Sequence, residues 1–333
     1  MFKRIVFLGY YLKEMDKRKF KKFVDFVSVQ NNQSKISLLK DIFLSSIIYN
    51  ISPLDYFYFK FYEKDRQERE TYAGTGTMYE YQLKMNPKSS RNILENKLLF
   101  LKEYNGFIKH QYYSLKKDHI DRLINSIYAS KFKKIVLKSS NGQCGEGVEV
   151  LEIDHNRQSL KEKLSQSKND LLEEFIVQHD KLMELSPSGL NTIRIFTQLN
   201  ANNVVDILGC RLRITINSNV DNLAAGNIAA PVDELTGKVT GPGVYSDITK
   251  SDEFSHPITG VEIKGFQVPF WKESIQMVKS AALLHPQNRS IGWDVAITNS
   301  GPELLEGNHN WCKLLWQLPV KKGLKKELEK YTT

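Results

Sequence analysis

Two acidic side chains and one amide near the end of the chain constrain its fold and function most strongly. The segment IGWDVAITNSGPELLEGN predicts a β-hairpin, in which two strands are joined by a turn at NSGP. If the hairpin pivots near Ser300, Asp294 and Glu306 are direct neighbours across the two strands. Side chains two residues apart on a strand share a face, so Asn308 joins them.

Like charges directly opposite each other destabilise a sheet, so the pairing of Asp294 with Glu306 needs an explanation. Two carboxylates and an amide oxygen on one face form a set of hard oxygen ligands, which suits Mg²⁺. The alternative interpretation is a solvated hairpin face, and it would suffice for any one of these residues alone. For all three together, we predict a Mg²⁺ site at Asp294, Glu306 and Asn308.

The composition excludes several classes of protein. A chain of 333 residues with 41% hydrophobic residues can bury real cores, so it is not disordered. Its three cysteines, Cys144, Cys210 and Cys312, are odd in number and far apart, which argues against a disulfide scaffold. The apolar run after Lys3 and Arg4 is too short for a signal peptide, and no stretch is apolar and long enough to span a bilayer. We therefore predict a soluble cytoplasmic protein.

The net charge of +9 suggests an anionic partner. The charge alone does not distinguish a nucleotide, a nucleic acid, an anionic glycan and a membrane surface.

Residues 1–90 are predicted to be mostly helical. An amphipathic helix with a basic face is predicted from four apolar residues at helical spacing, Phe20, Phe23, Val24 and Val27. We interpret these residues, and the aromatic residues of segment 55–72, as core. Binding of the basic helix to a membrane surface is the alternative.

From residue 91 onward, strands and helices follow each other in mixed order, which indicates the α+β class. A helix carries Lys97, and further helices are predicted over roughly 117–130 and 157–168. Strands are predicted for KKIVLK, LLEEFIVQ, TIRIFTQL and VVDILGCRLRITI. The segment PFWKESIQMVKSAALL is predicted to form another helix.

A glycine-bearing loop, SSNGQCGEG, follows the strand that ends at Lys138. Gly142, Gly145 and Gly147 would let backbone N–H groups approach phosphate oxygens closely. The loop is neither a Walker loop nor a Rossmann fingerprint, because no GK[ST] follows and the chain returns to a strand. A simple turn is the alternative, but the Lys138 ammonium favours phosphate binding.

Further charged residues are candidates for ligand contacts. Glu173 and Glu174 stand in an apolar segment, where a buried carboxylate needs a partner such as the exocyclic amine of a nucleotide base. Arg194 alternates with apolar residues, and Arg211 and Arg213 share a strand face, from which arginine forks can bind phosphate or carboxylate. The alternatives are surface ion pairs for the acids and acid-paired exposed strands for the arginines.

The segment VDNLAAGNIAAPVD is an unusually small and polar loop. Asp221, Asn222 and Asn227 could bind a ligand there, and a network of Asx turns is the alternative for each.

Taken in order, these features resemble the ATP-grasp superfamily. The resemblance is carried by Lys97 on a helix, Lys138 before SSNGQCGEGV, the segment EEFI, Arg194, and the D-x11-E-x-N spacing of Asp294, Glu306 and Asn308. The closer resemblance is to the sugar-transfer-associated ATP-grasp family of bacterial surface-polysaccharide biosynthesis, through NTIRIFT, the RLRI…VDN…AAGNIAAPVD run, HPITG, IGWDVAIT and LLEGN. It covers residues from roughly 55 to 320. GNI stands where the family pattern has GGI, which leaves the role of Asn227 open.

The resemblance implies an ATP-grasp fold, in which two α+β lobes hold ATP between them. The expected divisions are a mostly helical N-terminal region (1–90), a small lobe with the glycine-bearing loop (91–172), a large lobe with the metal site (173–320) and a basic C-terminal tail (321–333).

It also implies a role for each candidate residue. ATP would be contacted by Lys97, Lys138, Gly142, Gly145 and Gly147 at its phosphates and by an adenine hinge of Glu173, Glu174, Phe175 and Ile176. The ribose-binding acid is open between Asp180 and Glu184. The remaining roles are catalysis for Arg194 and Arg213, Mg²⁺ binding for Asp294, Glu306 and Asn308, and substrate binding for Arg211, Asp221, Asn222 and Asn227.

Three functions are compatible with these features. The first is an ATP- and Mg²⁺-dependent ligase that activates a carboxylate as an acyl phosphate and joins it to an amine in polysaccharide biosynthesis. The second is an ATP-grasp kinase acting on a sugar-type acceptor, and the third is a non-catalytic binder of anionic polymer. We expect a small-molecule or sugar-linked substrate, no nucleic-acid partner, and peripheral contact with a membrane-bound glycan assembly.

Overall fold

The computed structural model describes residues 2–130, 132–142, 147–154 and 156–332. Its α-helices in chain order are α1 (Phe2–Glu14), α2 (Lys17–Gln30), α3 (Lys35–Tyr49), α4 (Pro53–Tyr58), α5 (Arg66–Glu70), α6 (Thr75–Met85), α7 (Asn92–Glu95), α8 (Lys97–Glu103), α9 (Ile120–Ala129), α10 (Arg157–Gln166), α11 (Asp180–Leu185), α12 (Trp271–Leu284), α13 (Lys313–Gln317) and α14 (Lys325–Glu329). Its strands are β1 (Tyr112–Ser114), β2 (Lys134–Lys138), β3 (Glu149–Glu152), β4 (Leu171–Glu174), β5 (Ile193–Leu199), β6 (Val205–Ile214), β7 (Ile228–Val232), β8 (Val244–Tyr245), β9 (Ser290–Thr298) and β10 (Gly301–Asn308).

The N-terminal region is helical, as predicted, and its helices begin at polar caps. The Asp16 carboxylate accepts the first backbone N–H groups of α2, and Ser52 forms a capping box with Asp55 at the start of α4. The interpretation of the apolar and aromatic residues as core is confirmed. One buried cluster contains Phe23, Val24 and Val27 of α2, Leu38 and Ile42 of α3, and Tyr56, Phe57, Phe59, Phe61 and Tyr72.

The smaller sheet has four antiparallel strands in the order β1-β4-β2-β3. One face packs against α9 and α10 and contributes Ile135, Leu137 and Leu172 to a buried cluster. Because side chains alternate along a strand, Lys138 and Glu173 point to the opposite face. These two residues therefore lie on the face that does not pack against α9 and α10.

The larger sheet has six antiparallel strands in the order β10-β9-β5-β6-β7-β8. Its apolar face packs on α12, where Val278 and Ala281 lie in one buried cluster with Ile193, Trp293 and Leu304. The other face carries charged residues at its centre, beside an aromatic cluster that includes Phe196, Trp311 and Trp316. Two antiparallel sheets with packed helices confirm the α+β class.

Most predicted elements are present, with bounds that differ from the prediction by up to four residues. Lys97 lies on a helix, α8, as predicted. The helix predicted from residue 117 begins at Ile120, and the strand predicted over 171–178 is shorter, because β4 ends at Glu174 and the chain leaves the sheet there. Among the residues that the structure describes, no helix combines the length and apolar character needed to cross a membrane.

A buried amide joins the N-terminal region to the end of the chain. The Gln317 side chain accepts a hydrogen bond from the backbone N–H of Ala73 and donates one to its carbonyl, both at 2.9 Å. The same amide oxygen accepts from the backbone N–H of Leu324 at 3.1 Å. Gln317 is fully buried, so these backbone groups depend on it for their hydrogen bonds.

We therefore expect Gln317→Leu to lower the free energy of unfolding by about 2–5 kcal/mol, because it leaves buried backbone groups without partners. Gln30→Leu makes the same change at an exposed position of α2 and should be nearly neutral. Urea unfolding followed by circular dichroism measures both. Equal stability losses in the two variants would contradict the role given to the buried amide.

Candidate active site between the two sheets

The predicted hairpin is β9 paired with β10, and a β-bulge sets its register. Between the turn and the bulge, Glu303 pairs with Ala296; beyond it, Glu306 pairs with Asp294. The register shifts between Leu304 and Glu306, which adds one residue to β10. Paired residues share a face, so the bulge brings both Glu303 and Glu306 to the face that carries Asp294. The predicted cross-strand pairing of Asp294 with Glu306 is confirmed.

Two arginines from neighbouring strands bind the Asp294 carboxylate. Arg194 on β5 forms a two-pronged contact through Nε and through Nη2, the latter at 2.9 Å. Arg213 on β6 donates from Nη2 at 2.8 Å. Burial opposes ionisation of Asp294, but the two guanidinium groups outweigh it and lower the pKa to about 2. The carboxylate is therefore charged at neutral pH and fixed in position.

Glu306 and Asn308 complete this group. The Asn308 amide nitrogen lies 3.2 Å from Glu306 Oε1 and 3.3 Å from the carbonyl oxygen of Gly292. Burial raises the pKa of Glu306, and the adjacent Asp294 charge raises it further. The two carboxylates thus repel each other as they stand.

These residues fit a hard divalent cation. A cation placed between the carboxylates would remove the repulsion that raises the pKa of Glu306. Asp294, Glu306 and the Asn308 oxygen are ligands of the type that Mg²⁺ takes. The Asn308 amide must then turn its oxygen, in place of its nitrogen, toward Glu306. Within the described residues no group of three or more His, Cys, Asp or Glu side chains forms a metal cluster, in keeping with a set of two acids and an amide.

Arg213 also binds Asp221, the second residue of the small polar loop. Its Nη2 lies 2.9 Å from Asp221 Oδ1, and its Nε donates to the Thr192 hydroxyl at 2.9 Å. The other Asp221 oxygen accepts from the backbone N–H of Thr192 at 3.0 Å. Arg213 therefore bridges Asp294 and Asp221, so that three neighbouring strands share one charge network.

The facing surface of the smaller sheet carries a second buried charge network. Lys138 at the end of β2 forms an ion pair with Glu173 of β4. His110 lies between this pair and the larger sheet, with Nδ1 at 2.7 Å from Glu303 Oε2 and Nε2 at 3.9 Å from Glu173 Oε1. Backbone N–H groups of Lys109 and His110 also donate to Glu303. The network connects the two sheets directly.

The pKa values in this network are shifted in opposite directions. Burial disfavours charged His110, but Glu173 and Glu303 outweigh it and raise the pKa to about 9. Burial also disfavours charged Glu173, but Lys138 and His110 lower its pKa to about 2. His110 and Glu173 are therefore both charged at neutral pH.

Lys97 lies at the start of α8, close to the glycine-bearing loop and to the acid pair. Its ammonium donates to the carbonyl of Gly142, and its charge favours ionisation of Glu306. Asn96 caps α8 and its amide donates to Asn141 at 2.9 Å, which holds the loop start against the helix. The predicted contact residue Gly145 lies outside the described residues.

Gly147, near the end of the glycine-bearing loop, has a φ of +72°, a conformation that favours glycine. A cavity of about 1000 Å³ opens beside this loop start, between α8 and β1. Its lining includes Lys102, Lys109, Lys116 and Lys117 together with Asp118 and Asp170, so its basic residues outnumber its acidic ones.

Several predicted ligand residues are engaged elsewhere. Arg211 is buried, and its guanidinium donates to the carbonyls of Trp316 and Cys210. Burial lowers its pKa to about 10. The Asn227 amide binds the backbone of Ile216, Val220 and Asn222, and the Asn222 side chain accepts from Ala224. The structure therefore places Asn222 and Asn227 in the Asx network that was the alternative for them. Arg211 is neither exposed nor paired with an acid, because its guanidinium is buried on backbone carbonyls.

The predicted hinge lies where β4 leaves the smaller sheet. Glu173 lies beside His110 and Lys138. The Glu174 side chain instead accepts a hydrogen bond from the backbone N–H of Gln111 at 3.0 Å. Phe175 and Ile176 follow outside the strand and are not fully buried. Asp180 begins α11 and exchanges hydrogen bonds with Asn299, at the turn of the hairpin.

Sequence analysis missed His110 and Glu303. Neither residue stands in a recognisable motif, and Glu303 was assigned only to a returning strand. Glu303 stands in the same strand as Glu306 but three residues before it. Strict alternation of side chains therefore predicts that Glu303 points to the face opposite Glu306, away from the acid pair. The bulge between Leu304 and Glu306 brings Glu303 to the same face as Glu306, and the sequence pattern does not reveal that bulge.

Comparisons with known proteins agree with this arrangement. A family model described as sugar-transfer associated ATP-grasp matches residues 77–333. No curated protein matches the chain.

Similar solved structures include biotin carboxylase from Campylobacter jejuni (10% identity, 73% of this chain and 46% of that one, TM-score 0.47). Another is D-alanyl-alanine synthetase A from Vibrio cholerae (12% identity, 73% of this chain and 62% of that one, TM-score 0.40). A third is N5-carboxyaminoimidazole ribonucleotide synthetase from Thermotoga maritima (13% identity, 66% of this chain and 43% of that one, TM-score 0.37). In the first of these, the match spans less than half of the solved chain. Resemblance this distant gives no information on activity.

His110 makes a testable contribution to stability. Because its pKa is raised from 6.5 to about 9, its ion pairs are complete below pH 6.5 and are lost as the pH rises toward 9. Over that interval the folded protein should lose up to about 3 kcal/mol from this group. His110→Gln should be less stable at pH 6 and should lack this part of the pH dependence.

Thermal melts of both proteins between pH 6 and pH 9 measure the difference. His119→Gln, the same change at an exposed position, serves as the control and should melt in parallel with the unaltered protein. Parallel profiles for His110→Gln as well would contradict the charged state assigned to His110.

Proposed function

This chain belongs to the sugar-transfer-associated ATP-grasp family, and from that premise we propose that it is an ATP- and Mg²⁺-dependent ligase. In this proposal the enzyme activates a carboxylate as an acyl phosphate and joins it to an amine. The family description suggests a sugar-linked substrate in cell-surface polysaccharide biosynthesis. We also propose that the reaction takes place in the cytoplasm.

One observation carries the proposal: His110 links the Lys138–Glu173 pair of the smaller sheet to Glu303, which shares a face of the larger sheet with the acid pair. Asp294 and Glu306 are neighbours on one side, and Lys97 is close enough to favour the charge of Glu306. Lys138 lies on the face of the smaller sheet that does not contact α9 and α10. Carboxylates that can hold a cation, with ammonium groups opposite, suit a polyphosphate that is bound with its metal.

The nucleotide-binding residues follow from the same arrangement. Lys97, Lys138 and the start of the glycine-bearing loop would hold the phosphates. The chain from Glu173 to Ile176 would receive the adenine, since it leaves the sheet after Glu174 and Phe175 is exposed there. For the ribose, Asp180 is a candidate, because it is exposed and lies just beyond this hinge.

Mg²⁺ would be held by Asp294, Glu306 and Asn308, where it would neutralise phosphate charge as a Lewis acid. Arg194 and Arg213 hold Asp294 in place and would present positive charge beside the reacting carboxylate. The carboxylate oxygen attacks the terminal phosphorus, ADP leaves, and an acyl phosphate forms. The amine then attacks the acyl carbon, and phosphate leaves as the amide bond and a free proton are produced.

The metal site can be tested with Glu306→Gln, which keeps the shape of the side chain and removes its negative charge. We expect ATP consumption to fall by about 100-fold or more, because an interaction of the kind that stabilises transition-state charge is lost. Glu262→Gln makes the same change at an exposed position and should keep full activity.

Turnover is measured as ADP release over a range of Mg²⁺ concentrations, with a thermal melt to establish that each variant is folded. Activity of Glu306→Gln within about twofold of that of the unaltered enzyme would contradict the assignment of the metal site.

The reaction class can be tested by trapping the intermediate. With ATP, a carboxylate acceptor and hydroxylamine, an acyl phosphate should give a hydroxamate, and phosphate should be released together with ADP. The acceptors to be screened are amino acids and uronic-acid sugars, with Glu306→Gln as the inactive control. A stable phosphorylated sugar without free phosphate would identify the enzyme as a kinase instead.

A further inference from the structure

The helix α3 is apolar on both of its faces. Its inner face contributes Leu38 and Ile42 to the N-terminal core. Its outer face carries five exposed hydrophobic side chains, Ile36, Leu39, Phe43, Leu44 and Ile48. A helix that packs on one side only normally has a polar outer face. The outer face of α3 is therefore an unpartnered apolar surface.

The helix α1 adjoins α3 and extends this apolar character. The Arg4 guanidinium donates to the carbonyls of Ile47 and Ile48 at the end of α3, at 3.2 and 2.6 Å. Four exposed hydrophobic side chains lie on α1, namely Ile5, Val6, Tyr10 and Leu12. Of the exposed large hydrophobic residues that the structure describes, nine thus lie on these two helices, which marks them as an interaction surface.

The same segment is strongly cationic. Residues 1–49 contain ten Lys and Arg against four Asp and Glu, so this segment carries +6 of the net charge of +9. Three of the four acids are already engaged. Asp16 caps α2, Asp25 binds Lys21 and Lys35, and Asp41 binds Arg69.

One lysine stands within the apolar face itself. Lys40 lies among the exposed residues of α3, and within the described chain no carboxylate lies within 4.0 Å of its ammonium. An exposed apolar face that contains an unpaired cation, on a segment of positive net charge, matches the boundary of a bilayer, where acyl chains meet headgroups. A second copy of this chain is a poorer match, since two cationic faces repel each other.

We propose that the outer faces of α1 and α3 dock this protein on the surface of an anionic phospholipid bilayer. The helices lie in the plane of the interface, with Ile36 and Phe43 of α3 inserted below the headgroups and Lys40 among the phosphates. Docking keeps the enzyme at the membrane through these two helices. The proposal rests on the N-terminal helices alone and is independent of the ligase chemistry.

The test is co-sedimentation of the full chain with vesicles. One set is phosphatidylcholine alone, and the other contains phosphatidylglycerol as well. The protein should bind the second set, and added salt should weaken binding because it screens the lysines. Equal binding to both sets, or none to either, would overturn the proposal.

Substitutions locate the surface. Phe43→Ser and Ile36→Ser, made separately, should each weaken the partition onto anionic vesicles by about tenfold, since each removes one inserted side chain. Phe254→Ser is the matched control, because Phe254 is similarly exposed but belongs to a loop of the larger lobe.

Equal partition of Phe254→Ser and Phe43→Ser would overturn the assignment of the surface. Sedimentation velocity provides an independent check: a dimer that Phe43→Ser dissociates, together with unchanged vesicle binding, would show that a second copy covers this face, and would overturn the proposal as well.

Discussion

The β-bulge in β10 is the constraint on which the candidate site depends. Without the extra residue, Glu306 would point to the opposite face of the sheet, into the apolar core that packs on α12. With it, Glu303 and Glu306 share the face that looks toward the smaller sheet. Glu303 can then reach His110, and Glu306 can lie beside Asp294. One inserted residue therefore supplies both the acid pair and the contact between the sheets.

Buried charges on both sides of the cleft are kept in place by partners from other strands. Asp294 is bound by Arg194 and Arg213, and Glu173 by Lys138 and His110. Such pairs contribute little net stability, because each charge loses its hydration, but removal of one partner leaves a costly buried charge. Their effect is positional: they hold carboxylates and ammonium groups at fixed places, ready to receive a ligand that is itself charged.

The N-terminal region has two surfaces of different character. Its inner surface is an aromatic core of the usual kind, and a buried amide, Gln317, joins it to the end of the chain. Its outer surface carries exposed apolar residues on α1 and α3, and residues 1–49 carry +6 of the net charge of +9. A region that packs on the enzyme on one side and remains apolar and cationic on the other is suited to hold the enzyme at a surface.

The sequence by itself determined the α+β class, the helical N-terminal region and the hairpin. It also predicted the pairing of Asp294 with Glu306, although the bulge that sets this register became visible only in the structure. These features are encoded by local periodicity and turn residues, and the motifs also identified the family to which the chain belongs. The divisions of the chain and the individual roles of its ligand residues stay predictions. Tertiary structure alone decided which charges meet. Arg211 and Arg213 share one strand face, yet Arg211 binds a backbone carbonyl of α13 while Arg213 reaches Asp294. His110 acquires its role only because the two sheets approach each other there. Alternation along a strand fixes the direction of a side chain, but its partner comes from a distant segment whose position depends on the packing of the whole molecule.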